Sequence, residues 1–407
     1  MRLVKATLIL FLAMSFLPNY AFCEESRKEN KNLVDNTADT IDRLIKKQAF
    51  TLWNDPWIFQ GVPLVFPTPN TGFNLGVRTV FANIRRQDPH QFLFEAQLLS
   101  SDRGRYKHFA RIDAPRAFDG SFRISAKIAY DRDISLRYFG VGNNLVVDSN
   151  RTSPDNTYYQ DILEGPSFNL EILKYFGKYF RAGPVINLKW NAVSVYPGSL
   201  LETQNPLGTA GGRTHSLGLA FIYDELDFEP YPSRGYLHEL YLSYSHPAWG
   251  SDYTFFRGTF TFRKYFALTK DLILANRLIA ELLLGDVPFY EMGAMGGSQP
   301  AQDFGGSRFM RGYLGNEYID KMKMAFGMEL RWDPIEWELG GQVLNIGFCP
   351  FIDVGRVWPQ VPWPITDLHA SVGWGMRFIW NHRFTIRADY AINSTRSVFL
   401  VELGNAF

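Results

Sequence analysis

The sequence predicts an all-β fold, a transmembrane antiparallel β-barrel of sixteen strands. Three observations predict it. Extended segments alternate charged and apolar side chains with period two. Outside the N-terminal leader there is no apolar run of the roughly 18 residues that a membrane-crossing helix needs. The best stretch, Leu272 to Leu284, is broken by Asn276, Arg277 and Glu281. Connections between the extended segments are alternately short and long. The composition, 46% hydrophobic and 16% aromatic over 407 residues, excludes low-complexity disorder. A net charge of +1 gives no bulk attraction for nucleic acid, so no nucleic-acid partner is expected.

The N-terminus reads as a processing segment. Arg2 and Lys5 open it, Ala6 to Leu17 is a short apolar stretch, and Ala21-Phe22-Cys23 offers small residues for a signal peptidase. Cleavage after Cys23 is expected, with lipidation of Cys23 as the alternative. Residues 1–23 are thus a signal peptide and the chain is exported. Residues 24–57 form a short polar periplasmic segment. There Leu33, Val34, Ile41, Leu44 and Ile45 suit one amphipathic helix, too little for a folded domain.

The barrel is expected over residues 58–407. In Lys321 to Trp332, Lys323, Ala325, Gly327, Glu329 and Arg331 follow Lys321 on one face, and Met322, Met324, Phe326, Met328, Leu330 and Trp332 fill the other. The same division separates Phe122, Ile124, Ala126, Ile128 and Tyr130 from Arg123, Ser125 and Lys127. It separates Ala370, Val372, Trp374, Met376 and Phe378 from His369, Ser371 and Arg377, and Phe384, Ile386, Ala388 and Tyr390 from Arg383, Arg387 and Asp389. A soluble sandwich alternates too, but rows of charge cannot line a dry core, whereas a wet lumen accepts them. In lipid every backbone group must be paired, so such a sheet closes on itself. The candidate strands are 58–66, 72–84, 91–101, 105–113, 120–140, 158–174, 178–190, 214–224, 235–246, 253–266, 271–285, 321–332, 342–354, 367–380, 383–391 and 396–407.

Parity supports this count. Phe176-Gly177, Leu268-Thr269-Lys270 and Asn381-His382 are tight turns, while 141–157, 191–213, 286–320 and 355–366 are long loops. Starting residue 58 at the periplasmic side puts every long loop outside, and the sixth, 286–320, is long enough to fold back into the lumen. The chain ends in Phe407, and alternation gives Phe399, Val401 and Leu403 its face, although Asn405 interrupts the pattern. This terminal aromatic strand resembles the insertion signal of outer-membrane barrels.

Several short motifs point to a family. The sixth loop contains Gly305-Gly306-Ser307-Arg308-Phe309-Met310-Arg311-Gly312-Tyr313. Downstream come Gly327-Met328-Glu329-Leu330-Arg331 and Phe351-Ile352-Asp353-Val354-Gly355. Tyr138-Phe139-Gly140-Val141-Gly142-Asn143 and the turn from Asp224 through Pro230 and Pro232 to Gly235 complete the set. Together, over residues 58–407, they resemble the BamA/TamA family of outer-membrane assembly factors, the bacterial surface antigens. The resemblance implies an Arg-Gly-aromatic tripeptide, here Arg311, Gly312 and Tyr313, paired with luminal acids of the next two strands, here Glu329 and Asp353. Physics agrees: an arginine fork bonds carboxylates bidentately, glycine lets the backbone turn, and tyrosine packs and hydrogen-bonds together. Arg311 is therefore expected to latch the loop to Asp353, with Glu329 nearby. Residues 24–57 are too short for the periplasmic POTRA modules typical of the family, so a short member is expected.

The implied function is insertion or translocation of proteins at the outer membrane of a Gram-negative-type bacterium. Outer-membrane lipid, unfolded outer-membrane clients and a separate periplasmic subunit are the expected partners. The alternative is a passive pore or small-molecule channel. No GxSxG, HExxH, CxxC or phosphate-loop signature occurs, so no catalytic, cofactor-binding or metal residues are expected. His238 and His246 read as strand residues, and Gly293, Gly296, Gly297 and Ser298 as a flexible part of the folded-back loop.

Overall fold

The computed structural model describes residues 49–407 except 69, 86–89, 299–303, 340–341, 361–365 and 381–383. The expected signal peptide, Cys23, the helix stripe from Leu33 to Ile45 and the turn at Asn381-His382 lie outside the described residues.

The chain enters through β1 (Phe50–Leu52), paired back onto β2 (Asp55–Thr68). Then come β3 (Gly72–Asn83), β4 (Phe92–Ser101), β5 (Tyr106–Ala117) and β6 (Phe122–Arg137). Next are β7 (Gln160–Phe176) and β8 (Phe180–Ser194). A loop carrying helix α1 (Leu200–Gln204) and β9 (Gly212–Arg213) leads to β10 (Ser216–Asp224). After β11 (Gly235–Ser245), β12 (Phe255–Ala267) and β13 (Leu272–Gly285) comes helix α2 (Phe289–Gly293) in the sixth loop. The last strands are β14 (Met322–Leu339), β15 (Gln342–Trp358), β16 (His369–Trp380), β17 (Phe384–Ile392) and β18 (Ser397–Leu403).

Each of the sixteen expected strands has one long counterpart. Among the described residues the sheet has eighteen strands rather than sixteen, the two additions being the short β1 and β9. Among the described residues strand structure thus begins at Phe50, before residue 58. Trp53 and Asn54, both at positive φ, turn the chain so that β1 can pair with β2. The Trp57 indole donates to the Leu52 carbonyl at 3.1 Å and stacks on Phe81 at 4.5 Å. Three residues are too few to show a period, so the hairpin was not visible in the pattern.

The distribution of side chains inverts that of a soluble protein. Lys323, Glu329, Arg331, Arg377, Asp353 and Asp389 are buried, while Phe59, Leu75, Leu98, Ile128, Trp374 and Val401 are exposed. Lipid as outer solvent and a filled polar lumen account for both. No helix among the described residues is long and apolar enough to cross a membrane.

Consecutive long strands pair antiparallel from β2 to β18, with β8 joined to β10. The junction of the two ends is different. β18 and β2 are the two ends of the run of long strands. The residue-by-residue ladder that joins β17 to β18 and β2 to β3 does not continue across that junction among the described residues.

Candidate functional site in the lumen

The sixth loop leaves β13 and turns inward. Pro288 caps α2, whose Glu291 accepts hydrogen bonds from Lys189 Nζ (3.0 Å), Thr214 Oγ1 (2.9 Å) and Arg257 Nη2 (2.8 Å). These partners sit on the wall strands β8 and β12 and in the residue that follows β9. Burial alone would raise the Glu291 carboxyl, but Lys189 and Arg257 beside it bring it down to about 2. The amide of Gly296 donates to Glu281 of β13 at 2.7 Å. Gly296 is therefore tied to the wall, and the Cβ of any other residue there would come 2.6 Å from Thr259 Oγ1. Phe304, Phe309, Met310 and Tyr313 then pack with Ile279, Ala325 and Val357, which pin the loop inside the barrel.

Arg311 lies at the centre of this packing and is fully buried. Its Nε donates to Asp353 Oδ2 (2.8 Å) and its Nη2 to Asp353 Oδ1 (2.9 Å), while Nη1 donates to Glu329 Oε1 (2.6 Å). Its guanidinium plane sits 3.5 Å from the centre of the Phe351 ring. Burial opposes the charge, but Asp353 and Glu329 hold the Arg311 guanidinium protonated well above its ordinary range.

Gly312 has φ +101, and a Cβ there would come 3.0 Å from Ser371 Cβ. The backbone needs glycine for that turn. Ser371 Oγ donates to the Arg311 carbonyl, and Asn393 Nδ2 donates to the Gly312 carbonyl at 2.7 Å. Tyr313 packs in the loop core and donates from its hydroxyl to the Ala370 carbonyl at 3.0 Å. Arg311, Gly312, Tyr313, Glu329 and Asp353 thus meet in one place.

Four further residues join them. Arg331 bonds Glu329 at 2.8 Å, and Arg377 and Arg387 bond Asp389. Asp389 also lies 3.6 Å from Arg311. Alternation alone puts Arg331, Arg377, Arg387 and Asp389 on the luminal face. Only the register, which sets β14 to β17 side by side, makes them neighbours.

The C-terminal residues divide. Phe399 and Val401 face outward and Leu403 is half-buried, but Phe407 is buried. The expectation that Phe407 shares their face is corrected. Gly404, at φ +87, ends β18 and turns the chain into the lumen. There Arg277 Nη1 donates to the Ala406 carbonyl at 2.8 Å and Arg331 Nη2 to the Phe407 carbonyl at 2.7 Å. The Phe407 ring packs with Tyr231, Tyr265 and Ala275.

The other motifs make contacts at both ends of the barrel. On the loop side Gly142 donates to the Ile319 carbonyl at 2.9 Å, and Asn143 bonds the Asp367 carbonyl and the Val357 amide. At the opposite end the turn after β10 reaches across. Glu229 bonds Arg123 of β6 at 2.8 Å, and the Tyr231 hydroxyl donates to Asp333 of β14 at 2.7 Å. His238 packs at a tilt against Phe262, ring centres 4.9 Å apart, and His246 Nδ1 accepts from the Ala248 amide. Among the described residues no group of three or more His, Cys, Asp or Glu is set to hold a metal ion. What the lumen can do is hold charged loops in fixed positions.

Comparison with known proteins gives the same architecture. Residues 70–407 match the Omp85 superfamily domain. BamA from Haemophilus ducreyi lacking POTRA domains 1–3 superposes with a TM-score of 0.52 at 13% identity, covering 85% of this chain and 69% of that one. CdiB from Escherichia coli superposes with a TM-score of 0.54 at 11% identity, covering 87% of this chain and 62% of that one. The chain therefore spans less than two thirds of the CdiB length, and at these identities the likeness is one of fold. None of the curated proteins matches the chain.

Proposed function

Because the chain belongs to the Omp85 superfamily of outer-membrane β-barrels, we propose that it assists the insertion or translocation of protein clients at the outer membrane. It acts as machinery rather than as an enzyme. The observation that carries this reading is the β18–β2 junction, where the ladder joining the other long strands stops. A strand edge without its ladder presents free N–H and C=O groups that an incoming extended segment can pair with. Pro63 near the middle of β2 removes one donor from that strand, and Gly404 ends β18 early.

In this reading Arg311 is the latch that keeps the sixth loop seated while the junction opens. Its support is the bidentate bond to Asp353 in full burial. Phe399, Val401 and Leu403 remain the apolar strand by which the chain itself is recognised for insertion, without Phe407. An unfolded barrel client and a separate periplasmic subunit docking on the segment before β1 are the partners.

The experiment uses proteoliposomes. The reconstituted full chain is expected to speed insertion of an urea-unfolded outer-membrane barrel over empty liposomes. Steady conductance in planar bilayers with no effect on client insertion would overturn the proposal in favour of a passive pore.

A further inference from the structure

We propose that the outer wall carries a binding site for a phospholipid phosphate at the periplasmic end of β11 to β13, built on Lys264 and Asn276. Register places Tyr236, Lys264 and Asn276 in one row, Tyr236 opposite Lys264 and Lys264 opposite Asn276. Their chain neighbours point inward. Arg263 bonds Glu239 in the lumen at 3.5 Å, and Arg277 holds the Ala406 carbonyl. Period two therefore turns Lys264 and Asn276 toward lipid. Lys264 stands three residues before Ala267, where β12 ends in the short turn to β13, at the end opposite the sixth loop. That is headgroup level, not the middle of the acyl layer.

The site is built but incomplete. Lys264 is 6% exposed and Asn276 is 2% exposed. The Lys264 ammonium lies 4.8 Å from the Tyr236 ring centre and 5.3 Å from that of Phe266. It has no hydrogen bond or ion pair among the described residues. Asn276 Oδ1 is buried without a partner. The charge of Glu225 acts on the ammonium without forming an ion pair with it. With its amide turned, Asn276 sets N–H donors where the unpartnered oxygen stands, beside an ammonium under two aromatic rings, and both then lack an acceptor. The amide can present either its N–H or its oxygen. A phosphodiester supplies the missing acceptors, and its acyl chains would continue up the wall over Leu274 and Leu278. A free phosphate has the charge without the chains, so the wall favours the lipid.

Native mass spectrometry of the detergent-purified full chain with added phosphatidylglycerol tests this. Wild type is expected to retain the lipid, and Lys264→Met to weaken retention about tenfold, the loss of one charged contact. Asn276→Leu should weaken it in the same direction, while Lys270→Met, in the exposed turn, leaves it unchanged. Unchanged lipid retention in a Lys264→Met chain that keeps its heat-modifiable mobility would overturn the site. So would retention that millimolar inorganic phosphate abolishes, since that would assign the contact to a free ion. If Lys264→Met fails to fold, Asn276→Leu alone decides.

Discussion

Arg311 and Asp353 are joined at three points. Two are the guanidinium bonds at 2.8 and 2.9 Å, and the third is the Arg311 backbone amide, which donates to Asp353 Oδ2 at 3.0 Å. The carboxylate therefore holds both the side chain and the backbone of the loop. Among the described residues Asp353 has no other ion-pair partner. Arg311→Met should then leave a buried, uncompensated carboxylate and destabilise the barrel by about 3–5 kcal/mol. Thermal loss of heat-modifiable mobility measures it. In a double-mutant cycle with Asp353→Asn the effects should fall short of additivity by more than about 1 kcal/mol. Additive losses would remove the latch.

Gly312→Val tests the turn. At φ +101 a β-branched residue is strained, and its Cβ meets Ser371. A cost of about 1–3 kcal/mol is expected, seen as faster proteolysis of the sixth loop in intact proteoliposomes. Wild-type cleavage rates would show that the loop backbone is not held there.

The junction between β18 and β2 should open before the rest of the wall. Amides of Phe399 to Leu403 and Leu64 to Phe66 should exchange faster than those of β12 and β13, which share a thirteen-residue ladder. Equal protection in native-state exchange would refute a weak seam and the client-docking proposal with it.

Acid should loosen the start of the sixth loop. Glu291 titrates at about 2 in the folded chain against an ordinary value near 4.5. A depressed value means the contribution is complete above the ordinary value and is lost as pH falls from about 4.5 toward about 2. Intrinsically corrected amide exchange over residues 289–296 should rise through that window. Glu291→Gln should flatten that dependence; a Gln variant with the same profile would place the titration elsewhere.

The luminal cluster was legible in part. Glu329 and Asp353 fall on the polar faces of two strands that follow one another, so a shared cation could be looked for in the loop between or before them. Arg331, Arg377, Arg387 and Asp389 carry the same periodic signal but no mark that distinguishes them from any other luminal charge. Their meeting depends on which residue sits opposite which. That register is set by the bulge in β14 between Trp332 and Ile335 and by the turns, neither of which leaves a period in the sequence. Phe407 misled for a related reason. Alternation extrapolates through Gly404 as though the strand continued, and one glycine at positive φ is enough to send the ring to the other side of the wall.

What the sequence determined alone is the wall: strands of alternating grease and charge, long loops on one side, and an Arg-Gly-Tyr tripeptide in the longest of them. Period two is a local property, and lipid outside with water inside leaves a strand only one way to face. What tertiary structure decided is the filling of the lumen. Arg311 reaches Asp353 and Asp389, Glu229 crosses to Arg123, and the final residues turn inward because these are contacts between strands and loops far apart in the chain. Their energy comes from burying opposite charges together, and no local pattern records which partner each charge will find.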